Sequence, residues 1–141
     1  MIELFNKELK HTLNQKFSNE NIQIAEKEIS QQIYKKYEDK NPIFLIVLKG
    51  GMTFACDLFK YFPFDFKYRI RTVSASSYKS ETSPVEKVDI HFVDHPKYDW
   101  AKDEYIIIID DVADTFNTLY EIKNHILLKN AKQMETCVLL E

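Results

Sequence analysis

Tyr105-Ile106-Ile107-Ile108-Ile109-Asp110-Asp111-Val112-Ala113-Asp114-Thr115-Phe116-Asn117-Thr118-Leu119 is the stretch from which the fold can be read. It opens with an apolar run, 105–109, that is β-branched nearly throughout. A run so short, without polar alternation, marks a strand buried on both faces, as in a parallel sheet. Two carboxylates follow at once, then a polar turn carrying Asp114, Thr115, Asn117 and Thr118, then a helical pattern over 119–128. Buried strand, paired acids, hydroxyl-bearing turn and helix, in that order, describe a strand-to-helix junction of an open α/β sheet. Such sheets bind ligands there. The helix N-terminus offers backbone N–H groups and the positive end of a dipole, which suit phosphate.

Working outward, the neighbouring segments alternate in the same way. Residues 19–37 space their apolar side chains helically, with Ser18, Asn19 and Asn21 as capping candidates. Residues 43–48 form a second continuous apolar run and hence a second buried strand. Lys49-Gly50-Gly51 turns the chain into a helix over 52–61, with Met52, Ala55, Leu58 and Phe59 on one face, and Pro63 ends it. Residues 64–76 alternate apolar and polar and predict a half-exposed strand. The stretch 76–84, with Ser77 and Tyr78, is polar and rich in breakers and reads as a mobile loop. Residues 85–93 read as a strand returning beside the previous one, 94–103 as a loop, and 133–140 as a last strand. Strand and helix alternate over short connections, so the class is α/β with a twisted, mostly parallel sheet. No domain boundary is placed.

The length, 141 residues, suits one domain, and 45% hydrophobic residues suffice for a core. A net charge of −3 gives no electrostatic case for nucleic-acid binding. No apolar run approaches a membrane span. No signal peptide is read, since residues 1–9 carry charges throughout. Cys56 and Cys137 lie among apolar residues and read as buried small side chains in a reducing compartment. A soluble cytoplasmic protein is expected. His11, His91, His95 and His125 show no metal-ligand spacing, so no zinc site is proposed. Glycine is the telling count. Average usage would put about ten in a chain of this size, and this one has two, Gly50 and Gly51, side by side.

Several residues carry chemistry. Asp110 and Asp111 can accept hydrogen bonds from a sugar diol or hold Mg²⁺ through water; acids also gather near helix N-termini for dipole reasons alone. Asp114 can cap the helix or exchange a proton with a substrate nitrogen. Thr115 and Thr118 can bind phosphate, and Thr118 with Glu121 also has capping-box spacing. Lys49-Gly50-Gly51, after a buried strand, lets backbone approach an anion closely. Ser77 and Tyr78 sit either on a lid or on an ordinary exposed loop.

Together these residues resemble the type I phosphoribosyltransferases, and among them the hypoxanthine (hypoxanthine-guanine) phosphoribosyltransferases. The family's loop, an apolar strand, two acids, two apolar residues and Asp-Thr/Ser-Gly-x-Thr, stands here as residues 106–118. Leu48-Lys49-Gly50-Gly51 and Ser76-Ser77-Tyr78 follow the hypoxanthine branch at suitable separations, and the likeness covers about residues 10–141. The resemblance implies Mg²⁺-dependent transfer of ribose 5-phosphate from phosphoribosyl pyrophosphate to N9 of a 6-oxopurine. It assigns Asp110 and Asp111 to the ribose hydroxyls and metal, and Asp114 to purine N7 as base or acid. Thr115, Phe116, Asn117 and Thr118 would cradle the 5-phosphate. Leu48, Lys49 and Gly50 would bind pyrophosphate through a cis peptide before the lysine. Ser77 and Tyr78 would lie on the flexible, closing loop or hairpin. A homo-oligomer, dimer or tetramer, is expected.

Two departures accompany the likeness. Phe116 replaces the family's loop glycine, which is unfavourable if that position needs positive φ or close phosphate approach. The family's later lysine, aromatic, acid and arginine, which read the base and pyrophosphate, have no counterpart within residues 1–141. The expectation is therefore a single domain lacking the C-terminal part of the hood. Besides the enzyme, two readings stay open: a non-catalytic module binding phosphoribosyl pyrophosphate or a nucleotide, and a fragment completed by a partner chain. An exposed apolar sheet edge at the last strand would support the fragment.

Overall fold

Every second residue of Ile43–Leu48 points to the opposite side of the sheet, and both sides are covered. This strand, β1, sends Ile43, Leu45 and Val47 into one apolar cluster and Phe44 and Ile46 into another. The computed structural model describes residues 17–79, 86–92, 99–112, 116–127 and 129–140, with side-chain surroundings left aside at 77–79, 86–87 and 116. Before β1 runs α1 (Asn19–Tyr37), and after it α2 (Gly50–Phe59) and β2 (Arg69–Lys79). Then come β3 (Glu86–Phe92), β4 (Tyr105–Val112), α3 (Phe116–Leu127) and β5 (Gln133–Leu140).

The five strands form one sheet in the order β3-β2-β1-β4-β5. β1 pairs in parallel with β2 and β4, β4 in parallel with β5, and only β2–β3 is antiparallel. The mostly parallel α/β sheet expected from the sequence is therefore the observed one. β4 repeats the logic of β1: Ile106 and Ile108 face the α3 side, Ile107 and Ile109 the α1–α2 side, and all four are at most 2% exposed. Burying each such side chain stabilises by about 1.5–3 kcal/mol. A continuous apolar run is thus two interleaved period-two patterns with both faces wanted.

α1 starts where a capping residue allows it. The Ser18 hydroxyl accepts from the Asn21 N–H at 3.1 Å, and the Asn21 side-chain oxygen accepts from the Ser18 N–H at 3.2 Å, a capping box with asparagine in the acid's place. Its buried Ser30 hydroxyl lies 2.8 Å from the Glu26 carbonyl and 3.0 Å from that of Leu58, tying α1 to α2. The α1 apolar stripe holds at Ile33 and Tyr37, while Ile24 is 51% exposed.

Several expectations need correction. The strand read over 64–76 begins only at Arg69. Residues 63–66 form a turn closed by the Phe66 N–H donating to the Pro63 carbonyl at 3.0 Å. There Phe62, Phe66 and Tyr68 pack around Phe44 as an aromatic cluster, and Phe64 is fully exposed. Aromatic packing, not strand periodicity, spaces those rings. Within β2, Val73 is fully buried and Ile70 is half exposed. Arg71, facing the same side as Val73, stacks its guanidinium 5.1 Å from the Trp100 ring centroid.

Ser77 and Tyr78 are strand, not loop: they pair with Val88 and Lys87 of β3. Polar, β-branch-poor sequence can form a hairpin when backbone ladder bonds hold it. The rest of the expected loop, residues 80–84, lies outside the described residues, as do Val85, Val93, the stretch 94–98 and residues 1–16. α2 starts two residues earlier than expected, at Gly50, and leaves Met52 on its exposed side. Cys56 is exposed, contrary to the buried reading, because it lies on the outer face of α2, while Cys137 is partly buried. Both thiols are free. No described helix is long and apolar enough to cross a membrane.

Candidate functional site

The carboxyl ends of β1 and β4 are neighbours, since Ile46 pairs with Ile109. Each strand hands over to a helix there. After β1 only Lys49 intervenes before α2, and the Leu48–Lys49 peptide is cis, as the resemblance implied. Lys49 forms no side-chain cap, and the first turn of α2 contains no acid. The N-terminal donors and positive dipole end of α2 are therefore not answered by side chains of that helix. Leu48 is half-buried, while Lys49 and Gly50 are exposed.

The acids do not follow the strand but belong to it. β4 continues through Asp110, Asp111 and Val112, because β5 goes on pairing beside them: Asp110 with Val138 and Val112 with Leu140. Each carboxylate accepts from the next N–H, Asp110 Oδ1 from Asp111 and Asp111 Oδ1 from Val112, both at 2.9 Å. Both acids are half-buried. Burial pushes the Asp110 carboxyl up to about 6. The Asp111 carboxyl beside it adds to the rise and the Asp111 N–H opposes it.

The two junctions interlock. A methyl at Gly50 would lie 2.5 Å from Asp111 Oδ2 and 2.6 Å from Oδ1; one at Gly51 would lie 2.7 Å from the Ile109 carbonyl oxygen and 3.2 Å from the Asp110 Cα. Neither glycine has positive φ. Glycine supplies room here, against backbone at Gly51 and against the Asp111 side chain at Gly50, because the α2 N-terminus packs directly on the end of β4. The chain's two glycines thus bring the lysine turn and the acid pair into one site. Both glycines were expected to allow close approach to an anion; the close approach found is to Asp111 at Gly50 and to the Ile109 backbone at Gly51.

The second junction differs from expectation at its helix. α3 begins at Phe116, so Asn117 and Thr118 belong to its first turn rather than to a preceding turn. Thr118 is inside the helix, which removes the capping box with Glu121. Leu119, Ile122 and Ile126 are buried at spacings of three and four, and that apolar face supports one more turn upstream than the pattern suggested. Phe116 has ordinary helical backbone and no positive φ, so the conformational objection to a bulky residue does not arise. Asp114 and Thr115 lie outside the described residues, as does Leu128.

The β2–β3 hairpin completes the surroundings. β1 stops pairing at Leu48 with Ser74, whereas β2 runs on to Lys79. Five residues at about 3.3 Å each carry the hairpin about 17 Å past the end of β1, on the side of the acids. Ser77 and Tyr78 ride on this arm.

Oxygen donors from two vicinal carboxylates suit a hard cation. No group of three or more His, Cys, Asp or Glu side chains among the described residues could cage a metal. Two carboxylates without a cage fit Mg²⁺, which keeps waters and takes further oxygens from bound phosphates. His91 contacts Asp89 at 3.0 Å, and His125 the Glu121 carbonyl at 3.1 Å.

Comparison with known proteins bears on this site. The model of the phosphoribosyl transferase domain matches residues 14–141. A hypoxanthine-guanine phosphoribosyltransferase of Aquifex aeolicus is 30% identical, over all of this chain and 75% of that protein. A hypoxanthine-guanine-xanthine phosphoribosyltransferase of Tritrichomonas foetus is 24% identical over 89% of this chain. The chain spans only 65% of that relative's length. The crystal structure of a Bacillus anthracis hypoxanthine-guanine phosphoribosyltransferase shares the fold, with TM-score 0.71 and 24% identity, over 89% of this chain and 70% of that one.

Proposed function

The chain belongs to the phosphoribosyl transferase domain family, and from that premise we propose that it acts in purine salvage. It transfers the ribose 5-phosphate unit of phosphoribosyl pyrophosphate to N9 of hypoxanthine or guanine, giving IMP or GMP. In that step the bond from the ribose anomeric carbon to pyrophosphate oxygen breaks, a bond to N9 forms, and the purine loses a proton.

The observation that carries this reading is the interlock of Lys49-Gly50-Gly51 with Asp110-Asp111 at adjacent strand ends. It supports one donor site with two halves. Asp110 and Asp111 take the ribose hydroxyls and are the residues that would hold Mg²⁺, which when bound offsets the charge of pyrophosphate. Leu48, Lys49 and Gly50 receive pyrophosphate at the open N-terminus of α2. Asp114 holds or accepts the proton at purine N7. Thr115 to Thr118, with Phe116 and Asn117 in the first turn of α3, take the 5-phosphate. Ser77 and Tyr78, on the hairpin arm, close over the reacting carbon and exclude water. The reading includes one domain over residues 1–141, a homo-oligomer and a cytoplasmic location, the last supported by two free thiols.

A second reading is a donor-binding module without turnover. It rests on the same interlock of Lys49-Gly50-Gly51 with Asp110-Asp111, which supports binding of the donor and does not itself bear on the base. Calorimetry and chromatography separate the two. Phosphoribosyl pyrophosphate should bind with Mg²⁺ and lose that heat in EDTA; no heat at millimolar donor would end both readings. IMP or GMP should accumulate overnight, and donor binding without product would leave the module.

A further inference from the structure

Glu26 lies on the face of α1 that meets α2, one turn before Ser30, whose hydroxyl reaches the Leu58 carbonyl. It is 5% exposed, a rare setting for a carboxylate. Buried carboxylates are normally paired or hydrogen-bonded. Among the described residues no group donates to this one. Its oxygens are not sealed in protein either. They open into a cavity of about 220 Å³ between the first half of α1 and the end of α2. That is many times the roughly 10–15 Å³ that one water needs.

The walls of this cavity suit a cation. Asp57 supplies a second carboxylate. Lys60 is ion-paired to Asp57 and stands mostly in solvent, so it leaves Glu26 unanswered. The last turn of α2 contains no basic residue, and the negative end of its dipole lies here. Burial raises the Glu26 carboxyl above its ordinary range, Asp57 adds to the rise and Lys60 opposes it. A cation seated against Glu26 would offset that cost. Among the described residues no group of three or more His, Cys, Asp or Glu could hold a metal ion, which favours an organic ammonium. Ile22 and the partly exposed Tyr61 ring add an apolar wall and an aromatic face for the stem of such a cation. The ten residues of α2 span about 15 Å, so this end stands a helix length from Gly50 and the donor site.

We propose that the cavity between α1 and α2 binds a small organic cation, a primary ammonium on a short apolar stem, with Glu26 as its counter-ion and the stem between Ile22 and the Tyr61 ring. The test uses the full chain, with butylamine as the probe and amide chemical shifts as the readout, at a pH above the carboxylate range. Saturable shifts are expected at Ile22, Gln23, Glu26 and Tyr61 at millimolar amine. Butanol, the same stem without the charge, and butyrate, with the opposite charge, should bind at least tenfold more weakly. Glu26→Gln should weaken butylamine at least tenfold, and Tyr61→Leu about threefold through loss of the ring face. Lys60→Gln removes a competing charge and should tighten it. No saturable shift at these residues, equal affinity for butanol, or wild-type binding by Glu26→Gln would each overturn the proposal. Thermal midpoints give a second measurement. Butylamine should raise that of the wild type and leave that of Glu26→Gln in place; an equal rise in both would put the amine elsewhere and overturn the assignment. Should Glu26→Gln not fold, the exposed positions decide: Tyr61→Leu and Lys60→Gln shift the affinity in opposite directions if the proposal holds, and a shift in the same direction overturns it.

Discussion

The molecule contains two strand-to-helix junctions side by side, and they treat the same steric problem differently. After β1 one residue separates strand from helix, and two glycines follow because the end of β4 occupies the space where side chains would go. After β4 the chain reaches α3 only at residue 116, and a phenylalanine stands there in ordinary helical backbone. The family pattern places glycine in both loops. Here the first junction demands it, and the demand comes from the neighbouring strand rather than from the loop's own conformation.

That contrast can be broken by substitution. The largest effect is expected at the second junction, where Asp114→Asn should lower turnover by about 100-fold or more while phosphoribosyl pyrophosphate still binds. Calorimetry and product assays on one preparation would show it, and equal loss of both would contradict the proton-handling role. Next comes Gly51→Ala, whose methyl would press on the Ile109 carbonyl. Since backbone must move, a loss of about 1–3 kcal/mol is expected from urea unfolding. Gly50→Ala should be milder for the fold, because the obstructing atoms belong to the Asp111 side chain, which can turn away. Its cost should fall on the site, weakening donor binding about tenfold, or about 1.4 kcal/mol. If Gly50→Ala unfolds the protein while Gly51→Ala does not, the packing order is misjudged. The smallest effect belongs to Phe116→Gly. Helix propensity predicts a loss of at most about 1 kcal/mol, with donor affinity unchanged. A clear tightening of donor binding would mean that the ring obstructs the phosphate loop.

The same contrast shows what could be read from residue order. Ile43–Leu48 and Gln133–Leu140 match their expected bounds because apolar runs between breakers leave little choice. Residues 64–68 misled because alternating aromatics resemble a strand, while Phe66 and Tyr68 pack around Phe44 and Phe64 is exposed. Ser77 and Tyr78 misled in the opposite sense: their side chains say loop, and the ladder to β3 makes them strand. Cys56 shows the limit of local composition, since apolar neighbours in a helix say nothing about which side faces solvent. In the site, the acid pair, the lysine and the two glycines were all legible as residue types. Their mutual contact was not.

Residue order alone determined the α/β class, the two buried central strands, the acid pair at a strand end and the sparing use of glycine. Those features follow from short-range periodicity and composition, which need no knowledge of neighbours. Tertiary structure alone decided that β4 carries its acids within the strand, that Gly50 and Gly51 make room for Asp111 and Ile109, and that β5 pairs with β4 with its apolar side chains partly open. Each depends on which strands lie side by side. Strand order is set by the summed burial of both sheet faces, a long-range quantity that no single stretch of the chain contains.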